Sequence, residues 1–307
     1  MRYNNMNFSV EGDNRQMKKR RFGDRKDGRR VRTINPMVKV MPYIMRRRSD
    51  AQNFFADQLD IEKAERLCRE KVREGKTNFT ILHVIIAAYV RAISQRPALN
   101  RFVSGQKVFT RDGHIIVNMS MKREMSIDSP DTMIKVDFSP EDTIDDVYDK
   151  FNGVVTKTLA AGEGSNFDNV AKGLTFIPGL FFRWTVSLLN FLDYFGWLPK
   201  FLTNVSPFHG SMIITSMGSL GIKPIYHHLY DFGNLPVFLS YGAKQTKFVV
   251  GADGSVTKRK YIDLKAVTDE RICDGYYYAS CFKIIKRCVE NPEILLEKPE
   301  KVYEDID

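Results

Sequence analysis

The sequence predicts a single α+β domain, a mixed sheet with flanking helices, behind a basic leader. Segments such as TMIKVDF (Thr132 to Phe138) and HIIVNMSMK alternate apolar and polar residues with a period of two, the signature of half-buried strands. IEKAERLCREKVREG and ILHVIIAAYVRAI repeat with the period of a helix. Strands and helices are mixed without regular βαβ alternation, which excludes a doubly wound parallel sheet.

The elements follow in order. Residues 1–33 have little apolar periodicity and read as a flexible leader. From Pro36 to Leu59, Val38, Val40, Tyr43, Ile44, Phe54 and Phe55 predict a strand pair or one long bent strand. Asp60 precedes an amphipathic helix on which Ile61, Ala64, Leu67, Cys68 and Val72 recur, and Gly75 can end it. Thr77 or Asn78 can cap a second helix reaching about Gln95; it is apolar on nearly every side, hence central, and His83 within it is read as a hydrogen-bonded packing residue. KVFT and HIIVNMSMK flank Arg111-Asp112-Gly113 and predict a hairpin, because Asp-Gly supplies the positive φ angles of a tight turn.

Beyond Phe138, Ser139 or Asp142 can cap a helix through Val147, Phe151, Val154 and Val155 that ends at the Gly162 to Gly164 loop. The last third reads as strands SMIITS, VFLSYG and KFVVG, a turn at Asp253-Gly254, the strand TKRKYIDLKAVT, and a helix from about Gly275 to Val289.

Composition narrows the class. The chain has 307 residues, 43% hydrophobic and 27% charged, which excludes a mainly disordered or collagen-like protein. The net charge is +10, yet residues 1–48 hold 15 Lys and Arg against 4 Asp and Glu, so the rest of the chain is close to neutral. The basic leader reads as a solvated tail or as a binder of a polyanion such as nucleic acid, an anionic membrane surface or an acidic partner. Cys68, Cys273, Cys281 and Cys288 show neither CxxC nor metal-ligand spacing, and the start has no apolar signal segment, so a reducing, cytoplasmic setting and no metal are expected.

Leu174 to Leu202 is an unusual apolar insert. Arg183 and Asp193 lie inside it and Gly and Pro break both ends, so it is not expected to span a bilayer. Leu180, Trp184, Leu188, Phe191 and Phe195 keep helical spacing; the helix could pack on the body or in a subunit interface, lie in a membrane interface, or cover an acyl-chain pocket.

The chemistry centres on DERICDGYYYA, Asp269 to Ala279, which leads into a helix ending at an Asn-Pro break. This segment resembles the DHRxxDG signature of the acyltransferase catalytic core of 2-oxo acid dehydrogenase complexes, which shares the chloramphenicol acetyltransferase-like fold. Three further blocks are similar in the same order: RPALN (Arg96 to Asn100), GSMIITSMGSLGI (Gly210 to Ile222) and VFLSYGAKQ (Val237 to Gln245). The resemblance runs from about Asn35 to Leu296, so 34–307 is expected to be one catalytic domain carrying the insert at 174–202. No lipoyl attachment domain, Ala/Pro-rich linker or subunit-binding module is recognised beside it.

The resemblance implies a coenzyme A-dependent acyltransferase, coenzyme A or acyl-CoA as substrate, and a homotrimer whose channel lies between neighbouring subunits. In that family a histidine of the box deprotonates the attacking thiol or hydroxyl, and a hydroxyl on a facing strand donates to the oxyanion. By position the hydroxyl falls on Thr215, with Ser216 as neighbour and substitute; the architectural, arginine-held aspartate falls on Asp274, followed by Gly275. The histidine position is Glu270. Three readings follow: Glu270 is the base, since a carboxylate moved out of water binds a proton more tightly; His227, His228 or His209 supplies an imidazole; or the site is degenerate and the protein is an acyl-thioester-binding or scaffold relative. Cys273, inside the box, reads as a structural cysteine rather than a reactive thiol. No GxGxxG after a strand, GxxxxGK[ST] or GxSxG elbow occurs.

Overall fold

The computed structural model describes residues 19–122, 131–160, 173, 176 and 178–306. The Gly162 to Gly164 loop expected after the fourth helix lies outside them. The strands are β1 (Arg29–Arg30), β2 (Gln52–Asp60), β3 (Arg101–Ser104), β4 (Lys107–Thr110), β5 (Ile115–Lys122), β6 (Asp131–Phe138), β7 (Met212–Ser216), β8 (Val237–Tyr241), β9 (Gln245–Val250) and β10 (Val256–Asp269). The helices are α1 (Pro36–Ile44), α2 (Glu62–Arg73), α3 (Ile81–Gln95), α4 (Ile144–Ala160), α5 (Gly179–Tyr194), α6 (Lys200–Val205) and α7 (Gly275–Glu290).

The fold is α+β with a mixed sheet. Its strands run β2-β10-β8-β7-β5-β6, with β9 also paired to β10. The β5/β7 and β7/β8 pairs are parallel and the others antiparallel. A small second sheet has the order β1-β4-β3.

Period-two alternation sends Met212, Ile214, Val237, Leu239, Ile262 and Leu264 to the face that packs on α3 and α7. α3 is the centre of that core. Every residue from Ile81 to Ser94 is buried, as an apolar pattern on all sides requires. Its start is set by Thr80, whose side chain caps the His83 backbone N–H while its own N–H donates to His83 Nδ1 at 3.0 Å; the cap is therefore two or three residues later than Thr77 or Asn78. The opposite face carries a smaller cluster of Ile213, Phe238 and Val267 under Leu229 and Leu235.

Three expectations need correction. The Pro36 to Leu59 strand pair begins as a helix: Asn35 Oδ1 accepts from Met37 N at 2.9 Å and Pro36 occupies the first turn, so α1 forms despite its β-branched residues, and only β2 is a strand. The Asp112-Gly113 turn has its positive φ angles, 53° and 82°, but β4 and β5 do not pair across it. Arg111 is buried just before the turn and donates to Gly210 O at 2.6 Å and Asn234 O at 2.9 Å, which leads the chain out of one sheet and into the other.

The leader boundary is the third. β1 pairs with β4, Val31 and Ile34 join the core, and Arg25 is buried, so the chain is part of the body well before residue 33. Arg25 donates to Ser104 Oγ at 2.7 Å and Asp193 Oδ1 at 2.9 Å, and to the Asp193 carbonyl. Burial raises the pKa of the Asp193 carboxyl, but His209 and Arg25 outweigh it and hold it below the usual range.

His83 is enclosed by Phe79, Tyr148 and Phe151. Because Nδ1 accepts a backbone N–H, the ring is neutral with its proton on Nε2, and burial depresses its pKa to about 4. A depressed histidine favours the fold above its unfolded pKa and loses that advantage as pH falls from about 6.5 to about 4. The expected loss is on the order of 3 kcal/mol at 1.36 kcal/mol per unit. Buried His209, also lowered, acts in the same direction. Denaturant midpoints across this window should fall in the parent chain and flatten in His83→Phe; an unchanged slope would remove His83 as the cause.

Candidate active site

The box occupies the junction between the last strand and the last helix. β10 ends at Asp269, whose backbone N–H donates to Pro236 O at 2.9 Å, and Glu270 N donates to Ala51 O at 2.8 Å. The Asp269 side chain is fully buried between two guanidinium groups. Arg271 donates to it at 2.7 and 2.8 Å and Arg48 at 3.3 Å. Arg48 also donates to Tyr230 O at 2.5 Å and Gly233 O at 2.9 Å. Burial lowers the Arg48 pKa, opposed by Asp269.

Within this chain the aspartate held by arginines is Asp269, whereas the resemblance places that role on Asp274. Asp274 is exposed and caps α7, with Oδ1 accepting from Tyr277 N at 2.8 Å. A carboxylate that closes the apolar end of a strand, Ala266-Val267, and is followed by Glu-Arg was the available sequence signal, since a charge there must find a partner. Glu270 is half-buried at the bend between them.

Thr215 and Ser216 are neighbours on β7 and point to opposite faces, so they are not substitutes for one another. Ser216 lies on the helix side beside Tyr241, lining a cleft of about 950 Å³ with Gly218 and Ser219. Val72, Phe79, Leu82 and Ile262 make this cleft largely apolar, and Arg69, Arg73 and Lys244 contribute cations to it, of which Lys244 and Arg69 pair with Glu65 of the same wall at 2.6 and 3.7 Å. Within the cleft, burial pushes the Cys68 thiol up to about 12, which makes it a poor nucleophile. Cys273 is buried with its pKa raised well above the ordinary thiol value by burial, consistent with a structural cysteine. None of the described residues of the 174–202 insert is among those lining the cleft.

Thr215 faces the other side. Its register partner is Ser240, which in turn pairs with Lys265 of β10. Ser240 Oγ accepts from Ile225 N at 3.3 Å, so residues 222–230 run across this face. His227 stacks on Phe238, with ring centroids 4.2 Å apart and planes within 7°. Phe238 is two residues from Ser240, so this imidazole lies one same-face step, about 7 Å, from the Thr215 level. His227 Nδ1 lies 2.9 Å from the His228 carbonyl, which can only accept; this places a proton on Nδ1, so that in the neutral ring Nε2 is the nitrogen with the lone pair. His228 is exposed. His209 is buried against Ser206 and Asp193 instead.

Glu270 is not near Thr215 in one copy. It lies five residues beyond Lys265, about 17 Å along the strand, and Thr215 lies two strands, about 10 Å, to the side, giving roughly 20 Å between them. Among the described residues no three His, Cys, Asp or Glu side chains gather as a metal-ligand group.

Comparison with solved structures identifies the architecture. A probable dihydrolipoamide acetyltransferase from Listeria monocytogenes superposes with a TM-score of 0.51 and 16% identity over 89% of this chain and 97% of that one. The Azotobacter vinelandii dihydrolipoamide acetyltransferase, in which a serine, a histidine and an asparagine were studied for their catalytic roles, gives 0.50 and 12% over 86% and 94%. A chloramphenicol acetyltransferase gives 0.50 and 11% over 84% and 99%. No protein-family model and no curated protein matches the sequence. The chain has the chloramphenicol acetyltransferase-like fold of these acyltransferase cores.

Asp269→Asn leaves two buried guanidinium groups without a counter-charge and should cost about 3–5 kcal/mol. Asp274→Ala removes only a helix cap and should cost about 1 kcal/mol. Urea denaturation of both variants checks the order, and equal losses would restore Asp274 to the structural role.

Proposed function

We propose that this chain is an acyltransferase that moves an acyl group between coenzyme A, or a similar pantetheine or lipoyl thiol, and an acceptor. The observation that carries the reading is the placement of the DERICDG box at the β10–α7 junction of an acyltransferase fold, with Glu270 set beside the buried Asp269 that fixes the bend. Residues at such a junction are positioned by rigid elements on both sides, which catalysis requires.

The reaction is proposed to run at a homotrimer interface. Thr215 and Glu270 are too far apart to meet one reacting atom within a copy, and Phe54 and Tyr226 stay exposed on the Thr215 side of the sheet, available to a neighbour. In the proposed step Glu270 of one copy takes the proton of the incoming thiol or hydroxyl, whose sulfur or oxygen attacks the thioester carbonyl. The Thr215 hydroxyl of the adjoining copy donates to the oxyanion. The carbon–sulfur bond then breaks, and the leaving thiolate takes the proton back from Glu270. The apolar cleft with Arg69, Arg73 and Lys244 is the proposed seat of the coenzyme, its cations suited to phosphates. The four cysteines are unpaired, which fits the proposed cytoplasmic setting.

His227 offers a second reading of the base, favoured by its free Nε2 lone pair and its place one step from Thr215. Coenzyme A release from an acyl-CoA panel with a dithiol acceptor separates the possibilities. Glu270→Gln should lower kcat by about 10²–10⁴-fold and Thr215→Val by about 10²–10³-fold. Full activity in Glu270→Gln with loss in His227→Asn would move the base to the imidazole. A parent protein that binds acyl-CoA and releases no thiol at any chain length would instead be a thioester-holding or scaffold protein.

A further inference from the structure

The apolar insert is not explained by acyl transfer. Its helix α5 has 16 residues, and Asp193 alone is buried. Leu180, Trp184, Leu188, Phe191 and Phe195 fall at i, i+4, i+8, i+11 and i+15 and form one exposed stripe. Phe195 stacks on Trp197 at 4.9 Å, extending the stripe past the helix end. Trp184 is 74% and Trp197 60% exposed. The stripe does not pack on the body of its own copy: Asp193 ties the helix to it, Thr185, Leu189 and Leu192 are half-buried, and the other positions of the helix are exposed.

Charge indicates what covers it. Asp193 is the one acidic residue between 173 and 206, and Arg25 and His209 surround it, so the stripe presents no exposed negative group. Exposed Arg183 and Lys200 accompany it. Through Arg25, the basic segment of residues 19–32 is fastened to the same helix end. That segment exposes Lys19 and Lys26 and a fully exposed Phe22. Aromatic side chains rimmed by Lys and Arg match the boundary between acyl chains and anionic headgroups, whereas the cores of protein interfaces are depleted of Lys. No helix among the described residues is long and apolar enough to cross a bilayer, so the helix would lie in the surface plane.

We propose that α5 and the adjoining basic segment dock this protein onto an anionic lipid leaflet, with Trp184 and Trp197 entering the headgroup boundary. The inference does not depend on the acyltransferase reading, because it is scored without any thioester.

The chain has two tryptophans, both in this surface, so intrinsic fluorescence reports on it alone. Adding vesicles of phosphatidylcholine with about one third phosphatidylglycerol should shift the full chain's emission to the blue, and brominated lipid should quench it. Co-sedimentation should fall at least about tenfold with pure phosphatidylcholine or with about 0.5 M salt. Lys19→Glu with Lys26→Glu should weaken vesicle binding without changing the circular dichroism spectrum. Trp184→Ser, a change at a solvent-facing position, should do the same. Equal binding to neutral and anionic vesicles, or none to either, would overturn the proposal. So would emission already blue without lipid that moves to the red as the protein is diluted and its measured mass falls, which would make the cover another copy of the chain.

Discussion

A single buried carboxylate organises the site. Asp269 ends β10 without solvent, and two guanidinium groups must come to it because an unpaired charge there is expensive. Arg271 comes from the next turn and Arg48 from the segment before β2, so the pairing closes the bend that carries Glu270. Arg48 then spends its remaining donors on the Tyr230 and Gly233 carbonyls, which brings the His227 segment to the same anchor. Gly233 has φ 82° and a Cβ there would collide with the Phe208 carbonyl, so close approach also demands glycine. An apolar trio of equal volume could be as stable, but it would not fix three separate chain segments through directional bonds.

The sheet divides the chemistry into two sides. β7 is a wall: Ser216 opens toward the cleft between sheet and helices, while Thr215 opens toward the face crossed by residues 222–230. A ligand that uses the cations of the cleft and the hydroxyl of Thr215 has to pass the end of the strand, where Gly218 and Ser219 line the cleft. The absence of a Cβ matters at Gly218, where it would lie 2.9 Å from the Gly242 carbonyl. The close approach of the segments that leave β7 and β8 therefore belongs to the same design as the box, since it sets how close the two sides come.

Much of this was legible because burial and periodicity agree. α3, α7, β6 and β10 were readable from apolar spacing, and the four blocks resembling acyltransferase cores pointed to the fold that the structural comparisons then gave. The failures share one cause, partners that are distant in sequence. α1 has the residues of a strand, and Asn35-Pro36 outweighs them locally. The Asp112-Gly113 turn is sound, but pairing depends on where Arg111 finds carbonyls about a hundred residues away. Asp269 and Asp274 look alike in a sequence; only the 221-residue separation of Arg48 from Asp269 distinguishes the buried one. Thr215 and Ser216 differ by a parity that the strand register settles.

The basic segment looked like solvated tail because its charges outnumber its apolar residues, yet several of those charges are buried ties. Arg25 holds Asp193 of α5 and, at 2.8 Å, Asp27; Asp27 accepts from Asn234 at 2.9 Å; and Asn234 follows Gly233, which Arg48 holds. The exposed helix and the box are thus the two ends of one continuous set of charge-assisted hydrogen bonds, with the segment from His227 to Asn234 between them. Such continuity supplies a route, and coupling along it requires a member with two arrangements. The segment from His227 to Asn234 is suited to that part: it has no regular secondary structure, it is tied by the Arg48 and Asn234 side chains rather than by a ladder, and it carries His227, whose ring stacks on Phe238 of β8.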